Sequence, residues 1–219
     1  MGIRNITFSE GEFYHVFNRG VDKRVIFIDN GDRERFVRLL YATNSTMEAH
    51  ISNYQGISLI EIPRGETIVD IGAWCIMPNH FHLLLREKIE KGISIFMKKL
   101  LTGYSMYFNT KYQRKGKLFE GKFSAKHLNT DNYLKYQYAY IHLNPIGIIE
   151  NGWKQKKIND KEGAKKFLSS YDYSSYLDYA KSDDRVESAI LEKPAFPEYF
   201  QTFTEFNSMI DEWINFEEL

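Results

Sequence analysis

Residues 66–87 read ETIVDIGAWCIMPNHFHLLLRE. The first twelve are rich in β-formers, Pro78 and Asn79 interrupt them, and HFHLLLRE resumes the pattern. Two such runs joined by two turn-forming residues predict an antiparallel strand pair. Because side chains alternate along a strand, Phe81, Leu83 and Leu85 point into a core, while His80 and His82 share the other face. Working outward, EFYHVFNR at 12–19 followed by Gly20 predicts an earlier strand and a turn. DNGDRERFVRLLYAT, 29–43, opens a helix that Asp29 or Asn30 can cap, with Phe36, Leu39, Leu40 and Thr43 on one side. Residues 45–67, with Gly56, Pro63 and Gly65, form an excursion before the next strand.

Downstream, Ile93, Phe96, Leu100, Tyr104 and Phe108 mark a stripe on a helix from about Lys91 to Asn109. KYQRKGKLFEGKFSAKHL, 111–128, is a basic loop leading into a strand, and TDNYLKYQYAYIHLN, 130–144, is a helix opened by Thr130 and closed before Pro145. The order β-α-β-β-α-β-α predicts an α+β, ferredoxin-like antiparallel sheet with helices on one face, extended by one helix. Residues 1–150 form this catalytic unit. Residues 151–219 form a C-terminal helical extension: a Lys-rich linker, a Tyr/Ser cluster at 171–176 and an amphipathic tail from Phe200 to Phe216.

With 219 residues, 43% of them apolar or aromatic, the chain can bury one substantial core, which excludes disordered and collagen-like classes. No run approaches the ~18 to 20 apolar residues of a membrane span, and the opening lacks a secretion signal; both point to a soluble, cytoplasmic protein. Cys75 is the sole cysteine, and its apolar setting suggests a buried structural residue. The net charge of zero conceals a division. Residues 86–140 hold twelve Lys/Arg against four acids, whereas 183–219 hold ten acids against two bases. The basic middle suits a polyanion, although charge runs also occur on ordinary solvated faces.

Two constellations can carry chemistry. His80 and His82 lie side by side on a strand, as a divalent-metal pair does, yet the same pattern fits two polar residues outside a half-buried strand. On the last helix of the catalytic unit, Tyr136, Tyr140 and Asn144 stack at i, i+4, i+8, and spacing alone leaves catalysis and packing both open. Lys111, Arg114, Lys115, Lys117, Lys122 and Lys126 can track phosphates. Tyr112, Phe119 and Phe123 interleave with them as surfaces for base stacking or as strand core.

YHVFNRG at 14–20, AWCIMPNHFHLLL at 73–85, GKLFEGKF at 116–123, YIHLNPI at 140–146 and YSSY at 173–176 occur together and in order. This set resembles the single-tyrosine HUH transposases, in particular the REP-associated branch, closely over residues 12–150. The resemblance implies that His80, His82 and Asn144 hold a divalent ion, Mg²⁺ or Mn²⁺, and that Tyr140 is the nucleophile. It assigns nothing to His142. It implies a metal-dependent transesterase that cuts and rejoins single-stranded DNA, at hairpins or palindromic repeats, through a 5′-phosphotyrosine link; the sequence leaves monomer and homodimer both open. The chain departs from the pattern in the 45–67 excursion, in Tyr173 where the branch has tryptophan, and in the acidic tail. The competing readings are a non-catalytic DNA-binding descendant of a transposase and a nuclease that uses water.

Overall fold

The hairpin forms where its two β-rich runs meet Pro78 and Asn79: β2 (Val69–Met77) and β3 (His80–Glu87) pair antiparallel, with Met77 opposite His80. The computed structural model describes residues 6–47, 51–54, 56–153, 158–181 and 184–215. With β1 (Phe13–Arg19) and β4 (Ser124–His127) the strands make one antiparallel sheet in the order β2-β3-β1-β4. Helices α1 (Asn30–Thr43) and α2 (Gly92–Lys111) pack on one face over Phe81, Leu83 and Leu85, giving the expected ferredoxin-like α+β unit. The predicted stripe of α2, from Ile93 to Phe108, is buried throughout.

The extending helix, α3 (Asp131–Leu143), crosses the opposite face, setting Leu134, Tyr138 and Ile141 against Ala73, Cys75 and Leu84. Its other side carries Ala139 and Leu143, and there the C-terminal extension folds back. The short α4 (Ile146–Ile149) is followed by α5 (Lys161–Leu168), α6 (Tyr176–Ala180) and α7 (Phe203–Asn215), which bury Leu168, Leu177, Phe206 and Ile210 against it. Thus α3 is apolar on two sides. The Tyr/Ser cluster closes the outer edge of β2: Ser175 N donates to Trp74 O (2.9 Å), Ile76 N to Tyr173 O (2.9 Å), and Ser174 bridges Cys75. The excursion forms 3-10 turns at Ile51–Tyr54 and Leu59–Glu61, and Asn44 ties its base by accepting from Ile68 N and Val69 N. Residues 154–157 of the Lys-rich linker and Phe216 of the tail lie outside the described residues.

One staple joins the two helices of the first face. Asp29 and Asp32 form a capping box at the start of α1, and the fully buried Asp32 carboxylate also accepts from Lys111 Nζ (2.8 Å), Tyr112 OH (2.8 Å) and Tyr107 OH (3.1 Å). Without the buried Asp32 carboxylate Lys111 keeps Asp29, but the Tyr107 and Tyr112 hydroxyls lose this acceptor, and part-buried groups left without a hydrogen bond cost about 1–3 kcal/mol. Asp32→Ala is therefore expected to lower the unfolding free energy by about that amount, measured by urea denaturation.

Candidate active site

The α3 face of the sheet collects polar side chains at one place because strand alternation sends them there. His15 and Phe17 of β1 lie beside His80 and His82 of β3, with Phe17 directly opposite His82. The His80 and His82 rings stand perpendicular, 5.0 Å apart. His80 Nδ1 is 2.6 Å from Asn79 Oδ1, and the Asn79 amide is oriented by Nδ2 donating to Lys23 O (3.0 Å). That amide oxygen can only accept, so His80 carries its proton on Nδ1 and its lone pair on Nε2. His82 is 5% exposed, and its Nδ1 lies 2.8 Å from Nε2 of the equally buried His15.

Helix α3 lays Tyr140 over this group. Its ring meets those of His82 at 5.6 Å and His15 at 5.7 Å, both edge to face. One turn on, buried Asn144 donates Nδ2 to Tyr140 O (2.6 Å). Burial raises the Tyr140 phenol pKa above its ordinary value, while a hydrogen bond from Asn144 and the charge of Lys126 pull it down. Lys126 arrives on β4, in register with His15. The structure thus links His80 to His82, His82 to Tyr140 and Tyr140 to Asn144 in one run of contacts.

Of the other tyrosines of α3, Tyr136 borders Tyr140, its ring 6.0 Å away, and the rest are engaged elsewhere. Tyr138 is buried among Tyr179, Phe196, Tyr199 and Phe200, and Tyr133 stacks on Tyr136, which packs against Trp213. His142 is fully buried with Nε2 2.8 Å from Ser175 Oγ, and burial pushes its pKa down to about 3, so it is a neutral packing residue.

The basic loop is delivered to the same end of the sheet. Phe119 bridges Gly20, which follows Arg19, the register partner of His80. Gly20 is needed there, since a Cβ would stand 2.4 Å from Arg24 O. Lys115, Lys117, Lys122 and Lys126 are exposed, while Arg114 lies over Phe108 at 5.6 Å. Lys111, by contrast, is committed to Asp29 and Asp32. Phe119 and Phe123 are 7% and 9% exposed and Tyr112 bonds Asp32, so these aromatics serve the core and not base stacking. His15 is the site residue that sequence reasoning passed over. Its string was in view, but only the pairing register brings it beside His82.

Among the described residues no group of three or more His, Cys, Asp or Glu side chains is arranged to hold a metal. An ion here would draw on the two imidazoles and on oxygen from Asn144. Nor, among the described residues, is any helix long and apolar enough to cross a membrane.

A family model described as "Transposase IS200 like" matches residues 13–144, which contain every element of this site. The chain belongs to the IS200-like transposase family. A solved REP-associated tyrosine transposase bound to a REP hairpin is similar in fold to this chain, with TM-score 0.51 at 13% identity, covering 85% of this chain and 90% of that one. The tRNA(His) guanylyltransferase of Saccharomyces cerevisiae reaches a TM-score of only 0.38 at 12% identity, with 90% and 86% covered, too low a similarity to bear on the site. No curated protein matches this chain.

Proposed function

We propose that this protein cleaves and rejoins single-stranded DNA by transesterification, with Tyr140 as nucleophile. The observation that carries the reading is the contact of the Tyr140 ring with His82 while Asn144, one turn away, bonds the same residue. In the step, Tyr140 Oη forms a bond to phosphorus, the P–O3′ bond breaks, the phenolic proton passes to solvent, and the leaving 3′-oxygen is protonated to a free 3′-OH. The resulting 5′-phosphotyrosine keeps the energy of the phosphodiester, so a second 3′-OH can reverse the step onto a new strand. Lys126 and the Asn144 amide favour the phenolate that burial opposes.

The donor set suits a divalent ion. His80 offers its Nε2 lone pair, His82 stands beside it, and Asn144, whose amide nitrogen donates to the helix backbone and to the Tyr140 phenol, offers an oxygen. When bound there, Mg²⁺ or Mn²⁺ supplies Lewis-acid polarisation of the scissile phosphate.

The substrate we favour is a hairpin with unpaired flanks, the class of DNA named for the REP-associated structure. The exposed lysines beside the His80 end of the sheet give its phosphates a track. The test is a denaturing gel with 3′-labelled hairpin DNA and Mn²⁺: transesterification leaves the label on the protein, and a hydrolytic nuclease or a non-catalytic binder leaves none there. A second measurement concerns the track. Affinity should fall with salt at a log-log slope of about −0.7 per phosphate contacted, and joint replacement of Lys115, Lys117 and Lys122 by Ala should flatten the slope by about 2. An unchanged slope would move the DNA path away from this loop.

A further inference from the structure

We propose that His15 is a positioning residue for the metal site: its Nε2 accepts the Nδ1 proton of His82 and so holds His82 in the tautomer whose Nε2 can bind an ion. The inference rests on the metal site proposed above. Two imidazoles 2.8 Å apart, Nε2 of His15 to Nδ1 of His82, share one proton between them. If that proton belonged to His15, a neutral His82 would carry its own on Nε2 and could not ligate through it. If it belongs to His82, then Nε2 bears the lone pair and His15 holds its proton on Nδ1. Binding an ion therefore selects the second arrangement.

The surroundings favour a fixed acceptor. His15 sits mid-strand in β1 between β3 and β4, with ring contacts to Phe17 at 4.9 Å and Tyr140 at 5.7 Å. Its ring lies within 26° of parallel to that of His82, and the two are 4% and 5% exposed. A ring that loses its acceptor at such depth leaves a buried N–H without a partner, a cost the ligating tautomer alone would bear. The arrangement parallels His80, where Asn79 takes the Nδ1 proton. Each imidazole of the pair thus has its own acceptor behind it, one from the turn and one from a neighbouring strand.

The experiment is calorimetric titration of Mn²⁺ into the DNA-free protein, for wild type, His15→Phe, His15→Gln and His82→Ala, each checked by circular-dichroism melting. Phe fills the space but accepts no hydrogen bond, and the loss of an outer partner to a metal-ligating histidine typically costs ~10–100-fold in affinity. Gln reaches as far as the imidazole Nε2 and presents an amide oxygen, so it should restore most of the loss. Wild-type affinity in His15→Phe would overturn the assignment. So would a loss in His15→Gln as large as in His15→Phe, which would make the effect one of packing. Unchanged affinity in His82→Ala would instead overturn the metal site itself, and this inference with it.

Discussion

Tyr140→Phe should bind hairpin DNA and Mn²⁺ as the wild type does and yet form no covalent adduct. The substitution removes one oxygen and leaves the ring, so the edge-to-face contacts with His15 and His82 persist. The expected loss of cleavage is on the order of 10⁴ to 10⁶-fold, the scale on which removing a member of a nucleophilic unit acts. Tyr133→Phe and Tyr136→Phe should retain the adduct, because Tyr133 stacks on Tyr136 and Tyr136 meets Trp213 edge to face, contacts that need no hydroxyl. Peptide mapping of the adduct decides the matter. A tyrosine-linked adduct that persists in Tyr140→Phe would refute the assignment.

Loss of either strand histidine is expected to reduce Mn²⁺ affinity by at least ~100-fold, beyond the usual cost of an outer partner, and to abolish metal-dependent cleavage. His80 lies at the first residue of β3 and is partly exposed, so His80→Ala should unfold at nearly the wild-type denaturant concentration. His82→Ala leaves a gap under Tyr140 and deprives His15 of its partner, and a modest loss of stability accompanies it. Metal-free binding of the hairpin separates the two effects, since a folded variant with an empty ion site keeps its phosphate contacts. Calorimetry showing wild-type Mn²⁺ affinity in both variants would remove His80 and His82 from the proposal.

Much of this was legible from local pattern alone. The alternation of HFHLLLRE sets the faces of β3, and the stripe from Ile93 to Phe108 sets the buried side of α2; each needs only neighbours within a few residues. The four residues that meet at the site were named by motif, but their meeting depends on α3 crossing the sheet face opposite α1 and α2, which no periodicity encodes. What stayed hidden is long-range. His15 lies 67 positions from His82, and its meaning appears only in the cross-strand register. Lys111 looked like one more cation in a basic run, and its commitment to Asp32 arises 79 positions away. Charge counting cannot tell a solvated lysine from a structural one. Nor did the sequence single out α5, although the amphipathic tail that became α7 was visible.

The closure of β2 by the Tyr/Ser cluster bears on the order in which the polypeptide is made. β2 is buried along its whole length, yet its outer backbone meets partners that emerge about a hundred positions later, as the bond between Trp74 N and Ser175 Oγ illustrates. At the far side the sheet ends in β4, only four residues long and bearing an outward lysine, the kind of border that discourages pairing with other chains. A nascent chain on the ribosome has the opposite problem at β2: a long apolar border stays open until residues 171–176 leave the exit tunnel. Chains cut short ahead of residue 171 expose a template for intermolecular pairing and yield aggregation-prone products, whatever the state of the histidines and tyrosine upstream.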